Sequence, residues 1–264
     1  MAKPTKTIEL YKGKVKIDFY GHGKWHYYVK DGKKIISVTG ATGMVNKPAL
    51  IDWAVKMMKE KLVAEREAGT YIGIPQIIDA SYSHKRIKQE EADKGKLVHA
   101  WCDEYVKYAL KKILIKPEMP EDENVLNGVF AFLKWEKENK VKWIDSEKLV
   151  YSLQHDYVGQ MDAKAKVNGK LCPIDYKTGN AVYNEMRYQL AAYRAADAEE
   201  TGDKYTGDSW LLRFDKNTAE FHDHRYNEHE EDFKTFLACL QLKRRDNQLK
   251  GNDKAVKAPV DLPY

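Results

Sequence analysis

The stretch GQMDAKAKVNGKLCPIDYKTG, residues 159–179, decides how this chain is read. At its centre Asn168-Gly169 supplies the two positive φ angles that a two-residue hairpin turn demands, and the residues on either side alternate as strands do. Such a turn pairs Val167 with Lys170 and, if the register continues, Asp162 with Asp175. Directly opposed residues on one sheet face stand about 4.5–5.5 Å apart at Cβ, and opposed like charges repel. A cation is therefore expected between them. Lys177 lies two residues beyond Asp175, and the period of two puts both side chains on one face. Asp162, Asp175 and Lys177 are expected to converge.

Outward from this hairpin, period-two spacing predicts strands over about Ser146 to Leu153, Tyr157 to Val167 and Lys170 to Lys177. A helix over about Tyr183 to Glu199 follows, then strands around Ser209 to Phe214 and Ala219 to His224, and a last helix over about Glu228 to Lys250. Toward the N-terminus, Val15 to Thr39 reads as two or three strands around an Asp31-Gly32 turn. Pro48 then opens a helix whose Leu50, Ile51, Ala54, Met57, Met58 and Leu62 recur at helical spacing as far as Gly69, an amphipathic pattern. Helical spacing returns from about Ser81 through Gly95 to Lys112 and again from Glu121 to Lys140, with Pro117 and Pro120 between. The economical reading is a single domain over 1–264: an N-terminal hairpin and helical elaboration (1–94), a core (95–250) and a tail (251–264).

Composition bounds the function classes. With 264 residues, 43% hydrophobic and 32% charged, the chain can bury a core and is neither disordered nor fibrous. A mean hydropathy of -0.68 and the absence of a long apolar run argue against a membrane partner. The start MAKPTKTIEL lacks the apolar core of a secretory signal, so a cytoplasmic protein is expected. Cys102, Cys172 and Cys239 stand singly, too few for a four-cysteine zinc or iron–sulfur site. Every Gly-Lys pair lacks the following Ser or Thr of a phosphate-binding loop, so no ATP motor is expected. The formal charge of +5 permits a polyanionic partner without demanding one.

Two carboxylates beside a lysine suit phosphodiester hydrolysis, because hard oxygen ligands hold a divalent ion that lowers the pKa of water and neutralises developing charge. Two tasks are open to the lysine. It could orient or deprotonate water if its own pKa is depressed, or stabilise the transition state as a fixed cation. The same three residues also suit a surface hairpin in which Lys177 screens two aspartates.

Further residues weigh on that choice. Residues 159–179 resemble motifs II and III of the PD-(D/E)XK nuclease superfamily, in its RecB-like branch. GKLVH, Gly95 to His99, resembles the branch's helical motif I, and Gln189 with Tyr193 resembles its Q-x-x-x-Y motif. ISVTGATGMVNKPALIDWA, Ile36 to Ala54, is similar to the entry segment of phage exonucleases and the mitochondrial genome maintenance exonuclease. The resemblance implies a restriction-endonuclease-like α/β core, a mixed central sheet flanked by helices. It implies His99, Asp162, Asp175 and the Tyr176 carbonyl as metal ligands and Lys177 as the catalytic lysine, with Mg²⁺ or Mn²⁺ as cofactor. Gln189 and Tyr193, four apart on one helix face, would support the site or hold substrate. Glu147 shares a face with Asp162 if the Gln154 to Tyr157 turn pairs symmetrically, and it matches an acid found upstream in the family. The iron–sulfur cluster of some members is not expected here.

Nucleic acid requires cations for its backbone and aromatic faces for unstacked bases. Lys243, Arg244, Arg245 and Lys250 cluster at the end of the last helix, and Trp25, Tyr27, Tyr28, Trp53, Trp101 and Tyr183 are stacking candidates. The expectation is a metal-dependent DNA exonuclease acting on single-stranded ends, in recombination, repair or replication and with a protein partner from those processes. A restriction or junction endonuclease is the second reading, and a catalytically idle DNA-binding relative the third.

Overall fold

The computed structural model describes residues 3–22 and 25–251; residues 1–2, Gly23, Lys24, the His22 and Trp25 side chains and the 252–264 tail lie outside the described residues. The chain opens with four antiparallel strands, β1 (Lys6–Leu10), β2 (Val15–His22), β3 (Trp25–Lys30) and β4 (Lys33–Ser37). Asp31 and Gly32, at φ +50° and +74°, make the tight β3–β4 turn that their sequence predicts. Helices α1 (Val38–Thr42), α2 (Ala49–Glu67), α3 (Ile74–Ser81), α4 (Ser83–Ala109) and α5 (Glu123–Glu138) follow. Asp122 starts α5 by accepting the Val125 N–H at 3.0 Å. The remaining elements are β5 (Lys142–Ser152), β6 (Tyr157–Val167), β7 (Lys170–Lys177), α6 (Asn184–Thr201), β8 (Ser209–Phe214), β9 (Phe221–Tyr226) and α7 (His229–Leu249). Among the described residues no helix is long and apolar enough to cross a membrane.

The fold is α/β, with a mixed sheet flanked by helices. The strands form one nine-stranded sheet in the order β1-β2-β3-β4-β6-β7-β8-β9, with β5 on the other edge of β6. Asn168 and Gly169, at φ +49° and +82°, turn β6 into β7 in the expected register, Val167 opposite Lys170. β7 and β8 run parallel through the α6 crossover. Helices α4 and α5 bury Val98, Trp101, Val129 and Phe132 against one face, where Ala163, Ile174 and Tyr176 point. Helices α1, α6 and α7 cover the other with Val38, Tyr193, Ala196 and Phe236 against Tyr157 and Met161. The N-terminal strands pack Ile17, Tyr28 and Ile35 on Leu149, Tyr151 and Val158.

Several elements differ from the sequence expectation, among them α1, which starts at Val38 where the strand reading ran to Thr39. α2 forms where predicted, yet none of its residues is fully buried and Ile51 is 69% exposed. The helix lies on α3 and α4 rather than on the sheet, so its apolar stripe meets a narrow partner. β1 and α3 were not anticipated. KTIEL is a short edge strand with charged positions, and IPQIIDAS has too few turns for its period to register.

One edge of β6 is shared: β4 pairs at Tyr157 and Val158, β7 pairs from Ala163 onward, and Gly159 to Asp162 lie between them. α6 and α1 close on this interval. A Cβ at Gly159 would stand 2.5 Å from the Tyr193 ring and 2.8 Å from Val38. Gly159→Ala is therefore expected to cost about 1–3 kcal/mol by overpacking. Urea denaturation monitored by circular dichroism checks this, and an unchanged midpoint would show that Tyr193 gives way freely.

Candidate metal centre

β5 and β6 pair as Ser146 with Ala163 and Lys148 with Met161, leaving Glu147 and Asp162 facing each other between these rungs. Glu147 sits at φ +49°, which turns the chain locally and breaks strict alternation. The result is visible in the side chains. Asp162 and Ala163, although consecutive, both point toward α4: Asp162 reaches His99 and Ala163 joins the α4–α5 core. Ser146, beside Glu147, donates its hydroxyl to Asp103 of α4 at 2.8 Å. Lys148 and Lys164 go to the opposite face and meet Asp197 of α6.

α4 brings His99 down onto this kink. Gly95, one turn earlier, permits the approach, since a Cβ there would stand 2.5 Å from Thr178 Oγ1. His99 Nδ1 lies 3.6 Å from Asp162 Oδ1, while Asp162 Oδ2 accepts the Tyr176 N–H at 2.6 Å, beyond the last β6–β7 rung. Glu147 accepts a hydrogen bond from the Gln160 amide. One potential ligand atom from each of His99, Glu147 and Asp162 lies within 4.8 Å of the others. His99 and Glu147 border a cleft of about 860 Å³ that Lys96, Asp103, Lys107 and Lys177 also line, with Asp162 behind them. An imidazole nitrogen with two carboxylates suits Mg²⁺ or Mn²⁺, so the donor set fits the expected ion.

Asp175 does not join that group. It is buried and pairs with Lys177, as two side chains on one strand face should. The four ligands inferred from resemblance are thus rearranged: Glu147 stands with His99 and Asp162, and Asp175 stands with the lysine. Tyr176 puts its ring into the core beside Phe132 and edge-on to His99, and its backbone N–H serves Asp162. Gln189 donates to Thr42 Oγ1 at 2.9 Å, and Tyr193 packs behind Gly159 with 3% exposure, so both support the underside of β6 and Tyr193 offers no surface to a substrate.

Electrostatics separates the charged groups. Burial works against the Lys177 ammonium, but Asp175 and Asp162 together outweigh it and raise its pKa. Of the two tasks open to this lysine, the raised direction favours the fixed cation. His99 is raised in the same way, Asp162 outweighing burial, and the Asp162 carboxyl is held low against burial by His99, Lys177 and the Tyr176 N–H. Burial, then Asp162 and Asp103, push Glu147 up to about 7. Burial, only partly offset by Lys177, pushes Asp175 up to about 6.

Sequence reasoning missed the back of the site. Asp197 is wholly buried and binds Lys148 at 2.5 Å through one oxygen and Lys164 at 2.5 Å through the other, with the Tyr205 hydroxyl at 2.7 Å. One carboxylate thereby ties β5 to β6 directly behind the Glu147–Asp162 kink. Lys164 between Ala163 and Ala165 in a central strand is the signal that could have revealed it, since a lysine so placed, 3% exposed in the structure, requires a partner. The basic cluster expected for phosphates is instead largely engaged. Arg244 donates to the His155 and Asp156 carbonyls, and Lys243 and Lys250 pair with Asp246. No protein-family model matches the chain, and no curated protein matches it in sequence.

Two outcomes follow from this geometry. Asp197→Asn is expected to cost about 3 kcal/mol, because Lys164 keeps its buried charge and loses its buried partner, leaving only the half-exposed Asp203 at 2.5 Å. It should also weaken Mn²⁺ binding by about tenfold in calorimetry, as loss of an outer support does; unchanged Mn²⁺ affinity would show that the clamp does not shape the cluster. The second concerns pH. A carboxyl whose folded pKa exceeds its unfolded value holds a proton that unfolding releases, so stability falls as pH rises from the ordinary carboxylate range to about 7 for Glu147 and about 6 for Asp175. His99, also raised, acts in the same sense, its contribution lost as pH climbs through its folded pKa. In EDTA the melting temperature should drop by about 5 °C or more between about pH 5 and 7.5, at roughly 2–4 °C per kcal/mol. Glu147→Gln should flatten the decline, and Mn²⁺ should reverse it at the upper end.

Proposed function

We propose that the chain is a divalent-metal-dependent deoxyribonuclease of the RecB-like PD-(D/E)XK type, degrading DNA from single-stranded ends. One observation carries the reading. His99, Glu147 and Asp162 come within 4.8 Å of one another, and His99 and Glu147 line the same cleft as Lys177, itself paired to Asp175. Two carboxylates at such separation repel, and a binding protein has no use for that cost, whereas a hydrolase that holds a cation does.

A bound Mg²⁺ or Mn²⁺ would supply Lewis acidity and a lowered pKa for water. His99, Glu147 and Asp162 would hold it, the imidazole surrendering its proton on binding. Asp162 is preoriented by the Tyr176 N–H, so its other oxygen, beside His99, is aimed before substrate arrives. Lys177 stays charged and is placed to neutralise the negative charge that builds on the phosphate, with Asp175 fixing its position. The resemblance in motif order from His99 through Lys177 supports the same assignment, and the end preference follows the exonucleases that the chain resembles.

Linear and circular single-stranded DNA incubated with Mg²⁺ test the reading. Linear strands should be digested, circular strands should resist, and EDTA should abolish cleavage. Lys177→Ala and Asp175→Asn should each lower turnover by about a hundredfold or more. Rapid cutting of circles would replace the exonuclease with an endonuclease, and undiminished cleavage by Lys177→Ala would remove the assignment.

A further inference from the structure

Beyond Glu147 and Gln160 the cleft continues into a second pocket of about 480 Å³, within the roughly 300–1,000 Å³ typical of small-ligand sites. Lys6, Ser146, Glu147 and Gln160 line both chambers, so a chain laid across the candidate metal centre passes directly into it. Its outer wall is one cross-strand row: Lys6 of β1 pairs with Phe19 of β2, and Phe19 pairs with Tyr28 of β3. The Phe19 and Tyr28 rings stand 5.3 Å apart, and Ile8 and Leu10 extend the apolar surface. Phe19 is half-buried and keeps part of its ring toward the pocket. Lys6 is exposed and makes no ion pair among the described residues, whereas Asp145 on the opposite wall is already paired with Lys112. The chamber therefore offers an aromatic face and an uncommitted cation, side by side, at the exit of a site built for a phosphodiester.

We propose that this pocket receives an unpaired nucleobase of the strand whose neighbouring phosphate lies at the His99–Glu147–Asp162 cluster. Phe19 stacks on the base and Lys6 pairs with the backbone. The assignment rests on the nuclease reading and deepens it, since only a strand whose bases are free of pairing can fill the chamber. Stacking on an aromatic side chain is tolerant of sequence, so every base serves.

Fluorescence anisotropy in Ca²⁺ with two labelled single-stranded oligonucleotides of equal length, one intact and one abasic throughout, separates the contributions. The wild-type protein should prefer the intact strand. Phe19→Leu, which keeps apolar volume in the row, should lose about tenfold on the intact strand and nothing on the abasic one. Lys6→Ala should weaken both alike and reduce the salt slope by about one. Equal wild-type affinity for the two probes, or equal losses on both for Phe19→Leu, overturns the base subsite while leaving the nuclease reading intact; an unchanged salt slope removes Lys6 from it. Wild-type protein that binds neither probe overturns the nucleic-acid reading itself.

Discussion

Glu147 and Asp162 bring two carboxylates close together across β5 and β6, with Asp175 of β7 as a further charge beside Asp162, and like charges in a poorly solvated site repel strongly. The surrounding architecture offsets that repulsion group by group. Asp162 has His99 and a strand N–H, Asp175 has Lys177, and Glu147 has the Gln160 amide; burial still pushes the carboxyls of Glu147 and Asp175 upward. Behind the sheet the pattern inverts: Lys148 and Lys164 follow Glu147 and Asp162 within two residues and converge on the single carboxylate of Asp197. Glu147 and Asp162 on one face, and Lys148 and Lys164 bound to Asp197 on the other, thus flank the kink from both sides.

Much of this was legible in the sequence. The β6–β7 hairpin follows from Asn168-Gly169, whose backbone angles leave a two-residue turn little freedom, and the flanking strands end where the alternation ends. His99, Asp162 and Glu147 were identified, and the structure brings them together. What period-two reading could not foresee is the kink, because a positive φ at Glu147 is a tertiary accommodation with no glycine to announce it. Continued alternation placed Asp162 directly against Asp175. In the molecule the last rung is Ala163 with Ile174, and past it Asp162 uses its side chain on the Tyr176 N–H. The stripe on α2 misled for a different reason: an apolar face says that something is covered, not by how much.

The N-terminal strands, read from sequence only as a β-rich entry, turn out to form a wall of the cleft. Their alternation sends Ile17 and Ile35 into a core shared with β5 and β6, and the same rows place Lys6 and Phe19 at the open margin. Core and cleft are thus two ends of one packed surface, and the rigidity of the first fixes the position of the second.

That wall is joined to the central sheet by a parallel ladder of only two rungs, Ile36 with Tyr157 and Ser37 with Val158. The partners are distant along the chain, whereas β5, β6 and β7 succeed one another through tight turns. Loop-closure entropy favours early formation of the local meander, and the long-range ladder closes at greater cost. Assembly in that order places the mutually repelling acids together before the outer wall encloses them, at a stage when water still screens their charges.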